Sequence, residues 1–149
     1  MKDILVRDYM TSPAASIPAT SSLLEAVLTM RRSSFRHLPI TVEDDRLVGI
    51  ITDRDIQRFA PSLLGNISQE EYNRIFEETP LERVMTKAPI TVTAETPIRE
   101  AAAILHDKKL GCVPVVEGER LIGILTVTDL LRLLHNMLAG AESTLDVSL

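Results

Sequence analysis

The sequence predicts an α/β (α+β) fold made of two β-α-β-β-α repeats, and three observations carry that prediction. Motifs return at a fixed offset, which is the first thing to look for in any chain. Met10-Thr11 recurs as Met85-Thr86, and His37-Leu38-Pro39-Ile40 is matched by Cys112-Val113-Pro114-Val115, each 75 positions on. Short β-rich runs alternate with segments of helical periodicity. Aromatics are 3% of 149 residues with no Trp, while hydrophobic residues reach 45%, so the core is aliphatic. A chain this long buries roughly 70% of its unfolded surface and needs no staples.

Each element reads alike in both copies. Ala15–Ile17 and Ile90–Val92 are expected as first strands. A first helix follows, with Leu23, Leu24, Val27, Leu28 and Met30 at helical spacing in one copy and Ile98, Ala101, Ala102 and Leu105 in the other. Pro97 stands where proline suits the first helical turn. Next come a β-rich run (Leu38–Val42; Cys112–Val116), a charged turn and a second run (Leu47–Thr52; Leu121–Thr126). That run leads straight into another helix near Asp53 and near Val127. The repeats are placed at 5–60 and 81–138, related by a pseudo-two-fold axis. Between them, 61–80 reads as a solvated, acidic helical connector opened by Ser68-Gln69-Glu70-Glu71. The last helix carries Leu130, Leu131, Leu133, Leu134, Met137 and Leu138, is expected to close at Gly140, and leaves 139–149 as a flexible tail. Apolar residues on most of its sides point to a homodimer contact.

Several functions are disfavoured. Lys and Arg total 16 against 21 Asp and Glu, a net charge of −5, which argues against a nucleic-acid partner. No apolar run is long enough to span a bilayer, and the charged N-terminus lacks a signal-peptide core. A single cysteine, Cys112, fits a reducing, cytoplasmic setting. His37, His106 and His135 show no ligand spacing, so no metal is expected. No nucleophile or acid–base set is evident, so no catalysis is expected.

The motif with chemical content is Gly-apolar-apolar-Thr-x-x-Asp. It occurs as Gly49-Ile50-Ile51-Thr52-Asp53-Arg54-Asp55 and as Gly123-Ile124-Leu125-Thr126-Val127-Thr128-Asp129, 74 positions apart. A strand that ends at Thr where a helix begins offers N–H groups and a dipole to an anion. The Thr hydroxyl is a further donor, and the Asp one turn on has two oxygens to accept the vicinal hydroxyls of a ribose. The competing reading is a plain capping pair, Thr at the N-cap and Asp at the third position. The recurrence of the pair at one register favours the ligand.

These repeats, with Met-Thr at their heads, His-Leu-Pro-Ile and Cys-Val-Pro-Val in the middle and the Gly-to-Asp motif at their ends, resemble a tandem pair of CBS domains (a Bateman module) over about Leu5 to Leu138. The stand-alone organisation is similar to that of acetoin-utilisation CBS proteins. The resemblance implies regulation by an adenosyl compound, AMP, ADP, ATP or S-adenosylmethionine, in two clefts between the repeats, with no catalytic cofactor. It implies that one cleft uses Ile124, Thr126, Thr128 and Asp129 for ribose and phosphate and Thr11, Ala15, Phe35, Arg36 and His37 around the base. The other would use Ile50, Thr52, Arg54 and Asp55, with Thr86, Ile90, Leu110, Gly111 and Cys112 around the base. Residues at the positions of Arg36 and His37 can also reach the neighbouring phosphate in the family. Arg54, where the other copy has Thr128, makes the Asp55 site the more basic and suits it to longer phosphate chains. A protein target would read the signal. The alternative is a structural oligomerisation or scaffold module without a nucleotide.

Overall fold

The structure, a computed structural model, describes residues 3–60, 65 and 67–147. It divides into two compact units, one of residues 14–90 with 118–121, the other of residues 1–13, 91–117 and 122–149. We call them the Asp55 unit and the Asp129 unit.

In the Asp55 unit, β1 (Ile17–Pro18) pairs in parallel with β2 (His37–Val42), which pairs antiparallel with β3 (Arg46–Thr52). β4 (Thr86–Lys87) lies antiparallel on β3. Helix α2 (Leu23–Ser33) begins at Ser22, whose hydroxyl accepts the Glu25 N–H at 3.1 Å, and turns its apolar stripe inward through Leu23, Ala26, Val27 and Met30. These pack with Ile17, Leu38, Ile40 and Ile51. The seven-residue α3 (Asp53–Phe59) starts directly at the end of β3.

In the Asp129 unit, Pro97 is the residue before α5 (Ile98–Lys108), one position earlier than expected. Strands β5 (Cys112–Glu117) and β6 (Arg120–Thr126) are neighbours, and α6 (Val127–Val147) follows β6 without a break. The core is Val6, Val92, Ile98, Ala101, Leu105, Val113, Val115 and Leu125. The second copy's first strand shrinks to a single parallel bridge, Val92 to Val115.

Packing regroups the sequence repeats: the compact units do not coincide with them, because each unit takes the other repeat's head. Residues 5–13, including the one-turn helix α1 (Val6–Tyr9), join the Asp129 unit: Val6 is fully buried there, its N–H donates to Thr96 O at 2.9 Å, and Thr11 and Ile124 exchange two backbone bonds of 2.9 and 3.0 Å. Residues 81–90 join the Asp55 unit through Leu81, 1% exposed, and the pairing of Thr86 with Ile50. An edge with unpaired N–H and C=O groups is completed by whichever segment reaches it.

The connector is not a solvated spacer. Its helix α4 (Gln69–Glu78), capped by Ser68, sends Phe76 into the core with no exposure, edge-on to Phe59 and against Tyr72. The acidic side faces water, and the apolar positions were too few to register as a stripe. Residues 61–64 and 66 of that segment, like 148–149 of the tail, lie outside the described residues. Finally, α6 does not close at Gly140 but continues to Val147. A glycine disfavours a helix by only about 1 kcal/mol, too little to stop one alone.

Candidate functional site

Both Thr-x-x-Asp motifs sit where the sequence places them, at the last residue of a strand and the first turn of a helix. The glycine that opens each motif is set by close approach. A Cβ on Gly49 would lie 2.6 Å from Met85 Sδ and 3.0 Å from Thr86 O; on Gly123 it would lie 2.9 Å from Thr11 O and 3.0 Å from Met10 Sδ. The Met-Thr heads and the glycines are therefore two halves of one contact, made once in each unit.

The capping pair is formed in both copies. Asp55 Oδ2 accepts the Thr52 N–H at 2.9 Å and the Thr52 hydroxyl at 3.0 Å, while the Asp55 N–H donates to Thr52 Oγ1 at 3.2 Å. In the other unit the same three bonds join Thr126 and Asp129 at 2.9, 3.2 and 3.3 Å. Asp is long enough to close this box because Thr supplies both its N–H and its hydroxyl to one oxygen. The Thr hydroxyl has a single proton, and it is spent on Asp, so the expected donor to a phosphate is not on offer.

Fewer amides are open than expected as well. The Asp53 N–H donates to Arg36 O at 2.9 Å and the Val127 N–H to Gly111 O at 3.0 Å. Among the described residues, the N–H groups of Arg54 and Thr128 remain for an acceptor. The second carboxylate oxygen, Oδ1, is what each Asp keeps for other work. Asp55 is 9% exposed and Asp129 8%, so the box holds each carboxylate at a fixed place just below the surface. Asp55 Oδ1 has no hydrogen-bond partner among the described residues. Asp129 Oδ1 lies 3.7 Å from Arg132 Nη2.

Arg132 is a residue the sequence reading missed. It donates to Tyr9 O at 2.9 Å and lies over the Tyr9 ring at 4.8 Å, tying the N-terminal head to α6. Its position three residues after Asp129, repeated as Arg58 after Asp55, is the signal that points to it.

The two expected residue sets each draw on both units. Within the Asp129 unit the structure brings together Ile124, Thr126, Thr128, Asp129 and Thr11; within the Asp55 unit, Ile50, Thr52, Arg54, Asp55 and Thr86. Ala15, Phe35, Arg36, His37 and Ile90 belong to the Asp55 unit, and Leu110, Gly111 and Cys112 to the Asp129 unit. Phe35 and Ile90 are large apolar side chains left about two-fifths exposed, at 43% and 44%. Cys112 is buried, and burial pushes its thiol up to about 12, so it is an inert neutral group.

His37 pairs directly with Thr52 across β2 and β3, which puts both side chains on one face of the sheet. Burial holds its pKa below the usual histidine value, Arg36 and Arg54 act in the same direction, and Asp53 opposes them. At the equivalent positions the Asp129 unit carries Gly111, Cys112 and Thr128, none of them a cation. Among the described residues no group of three or more His, Cys, Asp or Glu side chains could hold a metal, and no helix is long and apolar enough to cross a membrane.

Duplicated strand-to-helix junctions, each closed by a glycine contact and a Thr–Asp box, define a class of tandem repeat module with one capped, buried carboxylate in each half. The CBS domain family model matches residues 6–62 and 81–136, and the chain belongs to that family. A CBS domain-containing protein of Dictyostelium discoideum is 30% identical over 91% of this chain and 94% of its own length. A homoserine O-acetyltransferase of Methanohalobium evestigatum is 32% identical, but the chain spans only 24% of it. Among solved structures, an acetoin utilization protein (AcuB) of Vibrio cholerae superposes with a TM-score of 0.78 at 30% identity, covering 95% of this chain and 98% of that one. CBSX2 in complex with AMP gives 0.75 at 25% identity over 89% and 97%. The CBS domain pair of MJ0100, in complex with 5′-methylthioadenosine and S-adenosylmethionine, gives 0.76 at 29% identity over 91% and 99%.

Proposed function

We propose that this chain is a regulatory module that binds adenosyl compounds at its two Thr–Asp junctions. The observation that carries the reading is Oδ1 of Asp55, an acceptor left without a hydrogen-bond partner among the described residues and fixed by a capping box beside the amide of Arg54. A carboxylate accepts hydroxyl hydrogens, the amide and guanidinium of Arg54 meet phosphate oxygens, and exposed apolar groups such as Phe35 and Ile90 suit a purine ring. The complexes of two similar CBS proteins with AMP and with S-adenosylmethionine support this class of ligand. Ligand acts by favouring one arrangement of the module over another, which a protein target then senses. The module performs no catalysis in this reading and works in the cytoplasm, where its one buried thiol stays reduced.

The test is a thermal-shift panel of AMP, ADP, ATP and S-adenosylmethionine. Ligand at 100 times its Kd should stabilise by about 2.7 kcal/mol, a rise of several degrees. The informative variants are Asp55→Asn and Asp129→Asn. An Asn carbonyl oxygen can still accept the Thr N–H and hydroxyl, but its NH₂ replaces the free acceptor. Each variant should keep its melting temperature and lose the response at its own junction. Unchanged responses in both would refute the proposal.

A second reading, an oligomerisation module, has its own observation. Val127, Leu131, Leu134 and Leu138 recur at spacings of four, three and four along one face of α6, and Leu131, Leu134, Met137 and Leu138 are each half or more exposed. A homodimer through this face is compatible with ligand binding, and the panel above separates the two roles.

A further inference from the structure

We propose that His37 makes phosphate binding in the Asp55 unit proton-linked: its imidazole takes up a proton as a polyphosphate chain settles among Arg36, His37 and Arg54, so affinity rises as pH falls through the weakly acidic range. This rests on the adenosyl-ligand reading above and adds a regulation of one of its two sites.

The argument begins with geometry. His37 stands opposite Thr52, whose side chain is locked to Asp55. The Asp53 N–H is bonded to the backbone of Arg36, which fixes the start of α3 beside the start of β2. Four charged groups of that corner bear on the imidazole or its strand partner: Arg36 from its own segment, and Asp53, Arg54 and Asp55 from α3. The proposed anion contact rests on the Arg36 and Arg54 guanidiniums and the His37 ring, since a seven-residue helix contributes little dipole.

The electrostatics give the sign. Burial first, then the Arg36 and Arg54 guanidiniums, hold the His37 pKa below its ordinary value against the opposing pull of Asp53. A folded-state pKa that is depressed means the native protein binds fewer protons than the unfolded chain there, so this histidine lowers stability as pH falls below about 6.5. A bound polyphosphate neutralises both arginines and adds negative charge next to the ring. That reverses the balance, raises the affinity of His37 for its proton, and by linkage makes the protonated site the tighter one. Gly111, Cys112 and Thr128 give the Asp129 unit no such group, so the two sites differ in kind. The Asp55 site reports phosphate chain and pH together.

The experiment measures ATP binding to the full chain by titration calorimetry at about pH 5.5 and about pH 7.5, with His37→Gln and His37→Arg alongside. ATP's own terminal phosphate also titrates in this range, and the variants carry that contribution unchanged. Relative to His37→Gln, the wild type should gain about tenfold in affinity at the lower pH, the effect of one unit of pKa shift. His37→Arg should bind tightly at both. In buffers of different ionisation enthalpy near pH 6.5, the wild type should take up a fraction of a proton per ATP that His37→Gln does not. ATP bound with the same pH profile in wild type and His37→Gln overturns this inference and leaves the adenosyl reading standing. Absence of ATP, AMP and S-adenosylmethionine binding at every pH overturns the adenosyl reading itself, and the inference with it.

Discussion

Asp55 and Asp129 each close a helix N-terminus with one oxygen, Oδ2, which leaves Oδ1 outside the capping box, so the proposed ligand contact does not compete with the cap. Replacing either Asp by Ala removes the cap as well as the acceptor and should cost about 0.5–2 kcal/mol of stability, measured by urea unfolding, where Asn should cost far less. Gly123 has no room for a side chain against Thr11 O and Met10 Sδ, so Gly123→Val should destabilise by about 1–3 kcal/mol. Cys112 gives a pH prediction of definite sign. Its thiol pKa rises from 9.0 to about 12 on folding, so the native state holds the proton more strongly. The resulting stability is complete below pH 9.0 and is lost between 9.0 and about 12. Cys112→Ala, although it costs some packing, should show a shallower loss of stability over that alkaline window. At this scale the motif residues were legible in the sequence, because strand-to-helix junctions are local. The spent Thr proton was not, because which partner a hydroxyl chooses depends on distances no spacing states.

Among the elements, α4 departs most from its sequence. Seven of its ten residues are polar or charged, Gln69, Glu70, Glu71, Asn73, Arg74, Glu77 and Glu78, which reads as a solvated helix. Yet Phe76 is entirely buried against Phe59 and Tyr72. Phe76→Ala should therefore cost about 3–5 kcal/mol, a core-sized loss from a segment that looks like a linker. Calorimetric melting checks this directly, and a loss under 1 kcal/mol would return α4 to the role of a spacer. The α6 helix is the converse case. Its apolar excess is plain in the sequence, but only exposure shows which residues are left over once the core is served: Leu130 and Leu133 pack inward, Leu131 and Leu134 do not. On the oligomerisation reading, wild type sediments as a dimer and the double substitution Leu131→Glu with Leu134→Glu as a monomer, without loss of helix content. Monomeric wild type would remove the oligomerisation reading.

For the whole molecule, the repeat was written twice in the sequence, at 6–62 and 81–136 by family match, while the compact units are divided differently. The sequence by itself determined the main helices and paired strands of each repeat, their order and the two Thr–Asp junctions, since hydrophobic period, caps and turn residues act over a few positions. Tertiary structure alone decided which head completes which unit, that Phe76 is core, and that Arg36, His37 and Arg54 share one junction while Arg132 stands at the other. Those outcomes depend on long-range pairing, and the same Met-Thr head is compatible with either glycine until packing brings one of them within reach.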